Sequence, residues 1–312
     1  MEIIQYCAPV TTLHPDELWR LASAQWAEII ALSPDLAPAV ALQQRLLRLT
    51  LDAAAGFADT RPTLLAADST LEKWRRGLPA LRNEVVPIPP GLRDILPLLC
   101  TALAEGGAGE SALHIRDAIT TQGIDADSLL RVSLARNQKA VRTSALHMGF
   151  SPDLVWLIGE LGSAPLAHHL SAAAVRSADL QVGLRDWDHG YCPFCGSWPA
   201  FIEALEGALT LRCSYCAFGW SLRSRRCVYC ANSGDGFVAA APDVSQPERR
   251  VDLCGRCSGY TKVIAVREPA PFPLLAIADL ATMNLDEGAM NRGYRRPELF
   301  DLDSIEPRTA TC

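Results

Sequence analysis

Strand-like alternation is missing from the first 185 residues, and cysteine is nearly absent until residue 192. Long apolar runs are missing throughout. A membrane span needs about eighteen uninterrupted apolar residues. Here Pro97 and Thr101 break the run at 95–103, and Asp279 interrupts the one at 271–283. The start, Met1-Glu2-Ile3-Ile4-Gln5-Tyr6-Cys7, has neither a positive n-region nor an apolar core, so no secretory signal is expected. Together these absences place the chain in the cytoplasm, where thiols stay reduced. A formal net charge of −6 argues against a protein built to neutralise phosphates, though it allows a local basic surface. No phosphate-binding glycine loop, nucleophile elbow or His-Glu-x-x-His helix occurs, so the chain is not expected to be an enzyme.

What is present suits about two domains: 312 residues, 49% apolar and 21% charged. Apolar residues recur at helical spacing over 16–30, where Leu18, Leu21, Ala22 and Ile29 share a face. Further helices are expected at 39–55, 91–104, 111–121, 126–148 and 152–174, with loops at 87–91 and 105–109. After a boundary near 186, short strand-like runs at 200–205, 209–213, 218–222, 236–240 and 261–266 alternate with cysteine pairs. From 273 to about 291 the pattern is helical again. The reading is therefore α+β: a helical N-terminal domain (1–185), a first four-cysteine module (186–226), then a second with a C-terminal helix (227–312).

Eight of eleven cysteines fall between 192 and 257, as Cys192/Cys195, Cys213/Cys216, Cys227/Cys230 and Cys254/Cys257. Two residues inside each pair let a tight turn aim both sulfurs at one ion, and two pairs complete a tetrahedron. In a reducing compartment such spacing points to metal rather than disulfides. Joining first pair with second and third with fourth closes the shorter loops; a cross-braced arrangement is the alternative. Tetrahedral sulfur suits iron and zinc alike. Gly196 fits the left-handed conformation often needed after the second cysteine, whereas Ala217, Ala231 and Ser258 occupy the other three positions. Arg212, Arg223, Arg225, Arg226 and Lys262 lie close enough in sequence to offset the charge of four thiolates on a divalent ion. His168 and His169, adjacent on a helix, make a poor chelating pair. Cys100 reads as a buried apolar residue, and Cys7 and Cys312 carry no motif.

One ordered series runs through the second half. Trp187 precedes Cys192-Pro-Phe-Cys195-Gly196-Ser197-Trp198-Pro199, then Leu211-Arg212-Cys213-Ser-Tyr-Cys216. Trp220, Arg225, Cys227-Val-Tyr-Cys230, Gly234 and Cys254-Gly-Arg-Cys257 follow. Tyr260-Thr-Lys262-Val-Ile264, Ala278-Asp279-Leu280-Ala281-Thr282, Leu285-Asp286 and Gly293-Tyr294 close it. Over about residues 186–300 this series resembles the formate dehydrogenase accessory protein family, FdhE. One departure stands out: the family's closing segment tends to carry two adjacent acidic residues, and here Ala278 precedes Asp279. The resemblance implies two rubredoxin-like or zinc-ribbon-like modules holding iron, with zinc as a substitute or the native metal. It also implies a cytoplasmic maturation factor, chaperone-like, whose protein partner is the catalytic subunit of respiratory formate dehydrogenase before its export. No twin-arginine signal is found in the chain. No nucleic acid or membrane is implied as partner, and a homodimer is left open. Two other readings compete: a rubredoxin-like electron carrier, and a zinc-ribbon nucleic-acid binder resting on Arg223, Arg225, Arg226, Trp220 and Tyr229.

Overall fold

The computed structural model describes residues 15–56, 65–240 and 249–297. Cys7 and Cys312 lie outside them. In chain order the helices are α1 (Pro15–Leu32), α2 (Ala37–Ala55), α3 (Ala67–Arg75), α4 (Ile95–Leu103), α5 (Gly109–Thr120), α6 (Ala126–Leu134), α7 (Gln138–His147), α8 (Pro152–Val175) and α9 (Ala178–Leu184). Strands β1 (Pro199–Leu205), β2 (Ala208–Cys213), β3 (Gly219–Trp220), β4 (Phe237–Ala240), β5 (Arg249–Cys254) and β6 (Gly259–Ala265) follow, and α10 (Phe272–Leu280) and α11 (Met283–Met290) end the series. The fold is thus mixed, helices before sheet, with helices again at the end.

The chain forms two compact units. One is helical and comprises 83–170 with the described part of 13–64. Its core is built around α4, whose Leu96, Leu99 and Cys100 are fully buried, together with Ile115, Leu130 and Ile158. Burial pushes the Cys100 thiol up to about 11, which disfavours its reactive thiolate.

The segment 126–148, expected as one helix, is two. Arg136 takes a left-handed backbone (φ 58°), and the Asn137 side chain accepts the Ala140 N–H at 3.0 Å. A local side-chain acceptor of this kind starts a new helix in preference to continuing the old one. The expected helix at 273–291 likewise breaks, at Ala281–Thr282, where the Thr282 hydroxyl bonds back to the Ala278 carbonyl at 2.9 Å. Helices α3 and α9 and strand β5 carry no clear periodic signal in the sequence.

The other unit contains 65–82 and the described residues from 171 onward. Its centre is a single six-stranded sheet in the order β3-β2-β1-β6-β5-β4. Each half is an antiparallel three-stranded element, and the halves join where β1 runs parallel to β6, Phe201 opposite Lys262 and Glu203 opposite Ile264. One apolar cluster sets α10 on the sheet through Phe201, Ile264 and Leu275. A second sets α11 on it through Val251, Leu253, Tyr260, Leu285 and Ala289.

Candidate metal centres

Each cysteine pair sits in a turn whose backbone follows one pattern. After Cys192 and Cys227 the chain closes with Gly196 N–H donating to Cys192 O (2.9 Å) and Ala231 N–H to Cys227 O (3.0 Å). The strand-end cysteines receive N–H groups directly: Tyr215 and Cys216 donate to Cys213 Sγ at 3.3 and 3.4 Å. The residue after each second cysteine is left-handed in all four turns, with φ 86° at Gly196, 59° at Ala217, 58° at Ala231 and 54° at Ser258. A single glycine in the sequence therefore understated a shared geometry. A side chain there costs about 1–2 kcal/mol, partly offset by the greater freedom glycine has when unfolded. Ala217→Gly, Ala231→Gly and Ser258→Gly are each expected to raise stability by about 0.5–1 kcal/mol in denaturant unfolding. Gly196→Ala should lower it by a similar amount.

The eight thiols gather into two groups, Cys192/Cys195/Cys213/Cys216 and Cys227/Cys230/Cys254/Cys257. First pair meets second and third meets fourth. Within the groups Cys192–Cys216 sulfurs lie 3.7 Å apart, Cys195–Cys213 3.4 Å, and Cys227–Cys257 and Cys230–Cys254 3.6 Å. A tetrahedron with metal–sulfur bonds of about 2.3 Å has edges of about 3.8 Å. A disulfide would need about 2.05 Å, and all eight cysteines are free. The spacing and donor set thus fit a four-coordinate metal ion that accepts sulfur.

The two groups differ in environment. All four thiols of the first are buried, and burial drives Cys192 and Cys216 well above the ordinary thiol value, reinforced by neighbouring thiols. In the second, Cys230 and Cys257 are half-buried. There burial pushes Cys254 up, but the N–H groups of Cys257 and Arg256 and the side chains of Cys230 and Asn232 outweigh it, leaving it at about 6.

The first group has a cover from far earlier in the chain. Trp74 Nε1 donates to Pro193 O at 2.8 Å, Ala80 N–H to the same carbonyl at 2.8 Å, and Leu81 N–H to Phe194 O at 2.9 Å. Tyr191 Oη donates to Gly77 O at 2.8 Å. Nothing in the sequence near 74–81 signals this role, because the partners are backbone carbonyls.

The five cations expected to offset the metal charge are each paired with a carboxylate. Arg212 meets Glu203 in a pair almost wholly buried, Arg223 meets Asp186, Arg225 meets Asp252 and Arg226 meets Asp188. Lys262, with no exposed surface, meets both Asp279 (2.6 Å) and Asp286 (2.7 Å). The carboxylates lie far away in sequence or on other strands, so proximity along the chain gave no sign of these partners. His168 and His169 join neither thiol group, whereas His189 packs between Trp187 and Tyr191 at 4.7 and 5.0 Å.

The fold and the thiol geometry define a class: a helical unit and a sheet unit bearing two four-cysteine centres that could hold metal ions. No family model matches the chain. The chain is nevertheless similar along most of its length to proteins named FdhE. It is 28% identical over 302 residues to the FdhE homolog of Stutzerimonas stutzeri, covering 92% of this chain and 90% of that one. The FdhE homolog of Shewanella oneidensis is 32% identical over 107 residues, 33% of this chain and 35% of the relative, so that match spans about a third of its length. The crystal structure of the FdhE protein from Pseudomonas aeruginosa shares the fold, with a TM-score of 0.51 at 20% identity over 95% of this chain and 97% of that one.

Proposed function

We propose that this chain is a non-enzymatic accessory factor that binds the catalytic subunit of a respiratory formate dehydrogenase in the cytoplasm and supports its assembly before export. In this reading Cys192, Cys195, Cys213 and Cys216 hold one metal ion, and Cys227, Cys230, Cys254 and Cys257 hold a second. The observation carrying it is the pair of four-thiol groups with tetrahedral spacing, in a chain matched along 92% of its length to an FdhE homolog. Four-coordinate sulfur leaves a metal no open position for activating water, so its chemistry would be to cross-link strands and knuckles into one rigid surface. Iron is the proposed native metal, with zinc as the substitute. Among the described residues no helix is long and apolar enough to cross a membrane.

The test is a pulldown of formate dehydrogenase catalytic subunit by the tagged chain expressed in its own host, with metal content measured on the same sample. Specific capture and two equivalents of iron are expected. Full formate dehydrogenase activity after deletion of the gene would defeat the accessory role. Stoichiometric zinc with no iron would remove the electron-carrier alternative.

A further inference from the structure

The geometry points to thermodynamic coupling between the two four-cysteine centres: filling either one raises the affinity of the other. This inference rests on the metal-binding reading above.

Three contacts make the centres share their supports. The first concerns the segment that delivers Cys192. The Arg226 guanidinium, next to Cys227, donates to Asp188 O at 2.7 Å and pairs with the Asp188 carboxylate at 2.9 Å. Trp220 Nε1 donates to His189 O at 3.0 Å. Between these anchors, a Cβ on Gly190 would lie 1.7 Å from the Val228 carbonyl oxygen. The backbone entering the first knuckle therefore lies directly on the backbone of the third, with no room for a side chain.

The second contact is aromatic. Trp198, three residues past Cys195, meets Tyr229, which sits between Cys227 and Cys230, edge to face with centroids 5.0 Å apart. Tyr229 is fixed in turn, because its hydroxyl donates to Tyr260 O at 3.0 Å and its ring lies over Gly259 beside Cys257. The third contact is the parallel β1–β6 pair, which joins the two hairpins into one ladder.

Ordering residues 188–191 and the Trp198–Tyr229 contact thus serves both centres, and whichever metal binds first meets that entropic cost for the second. Binding couplings of this kind are typically about 5–150-fold. Arg226 and Tyr229 act here as positioning residues; neither is a ligand.

The experiment is a cobalt(II) titration of the full-length metal-free chain under reducing conditions. Thiolate-to-cobalt absorption and native mass spectrometry report the populations with zero, one and two ions. At one equivalent, the empty and doubly loaded forms are expected to dominate. In Cys192→Ser/Cys195→Ser and Cys227→Ser/Cys230→Ser chains, the remaining centre should bind at least about fivefold more weakly than in the wild type. Because those chains could misfold, Arg226→Met and Tyr229→Leu provide the second arm. Both keep all eight thiols and should still take two ions, but with the singly loaded form now accumulating. Unchanged affinity of the remaining centre in the folded double-serine chains overturns the coupling, as does unchanged cooperativity in both positioning variants. Failure of the wild-type chain to take cobalt at all overturns the metal reading itself.

Discussion

Replacing Lys262 with methionine is expected to cost about 3–5 kcal/mol of folding stability, the range for removing one partner of a buried ion pair. Lys262 has no exposed surface, and its ammonium has three donors to satisfy. The Asp279 carboxylate, the Asp279 carbonyl (3.0 Å) and the Asp286 carboxylate take all three. Arg296 bonds the same two carboxylates at 3.2 and 2.9 Å, and Tyr260 donates its hydroxyl to Asp286 at 2.8 Å. Two anions and two cations therefore balance, on the face of β6 where α10 and α11 sit. Removing the lysine leaves two carboxylates sharing one guanidinium and loosens a polar anchor that adds to the apolar clusters holding both helices to the sheet. Asp279 is 38% exposed and can be rehydrated, so Asp279→Asn should cost much less than Lys262→Met. Denaturant unfolding at neutral pH measures both. A loss below about 1 kcal/mol for Lys262→Met would show that the network contributes little.

The second large effect concerns the thiols. Chelation of the metal, or Cys192→Ser, is expected to unfold the sheet unit while the helical unit keeps its structure. Structural zinc sites contribute roughly 10–16 kcal/mol in small domains, comparable to a whole domain's stability of about 5–15 kcal/mol. The first centre gives such a loss nowhere to be absorbed. Its four thiols are buried, Trp74 and the Ala80 and Leu81 N–H groups donate to carbonyls of its knuckle, and Tyr191, next to Cys192, donates to Gly77 O. Tryptophan emission reports the change, because Trp74, Trp187 and Trp220 are all buried in this unit. A red shift on chelation, with most of the helical circular dichroism retained, is the expected result. Native emission and an unchanged melting profile after complete chelation would refute a structural role for the ions.

Much of the candidate site was legible before any coordinates, since ligand chemistry is tied to residue type and short spacing. The eight thiols, their grouping and five of the six strands follow from Cys-x-x-Cys turns separated by hairpin-length segments. The long helices α1, α2 and α8 were equally legible, α1 and α2 through repeated apolar positions and α8 through a long stretch rich in apolar residues. The break between α6 and α7 was not. It depends on a left-handed Arg136 and an Asn137 cap, which compete with a continuous apolar pattern that favours one helix. Strand β5 was hidden because Arg249, Arg250 and Asp252 interrupt its apolar residues, and Asp252 becomes acceptable in the interior only once Arg225 reaches it at 2.9 Å.

The sequence by itself determined that four pairs of thiols would converge on two points, that helices precede them, and which family the ordered series resembles. A two-residue spacing constrains a turn locally, and local constraints survive without knowledge of the fold. Only the tertiary structure decided that the two modules share one sheet, that residues 74–81 cover the first centre, and that Arg212, Arg223, Arg225, Arg226 and Lys262 each pair with a carboxylate. Those outcomes depend on backbone carbonyls and on partners 9 to 119 residues apart, where identity along the chain carries no signal of who will meet whom.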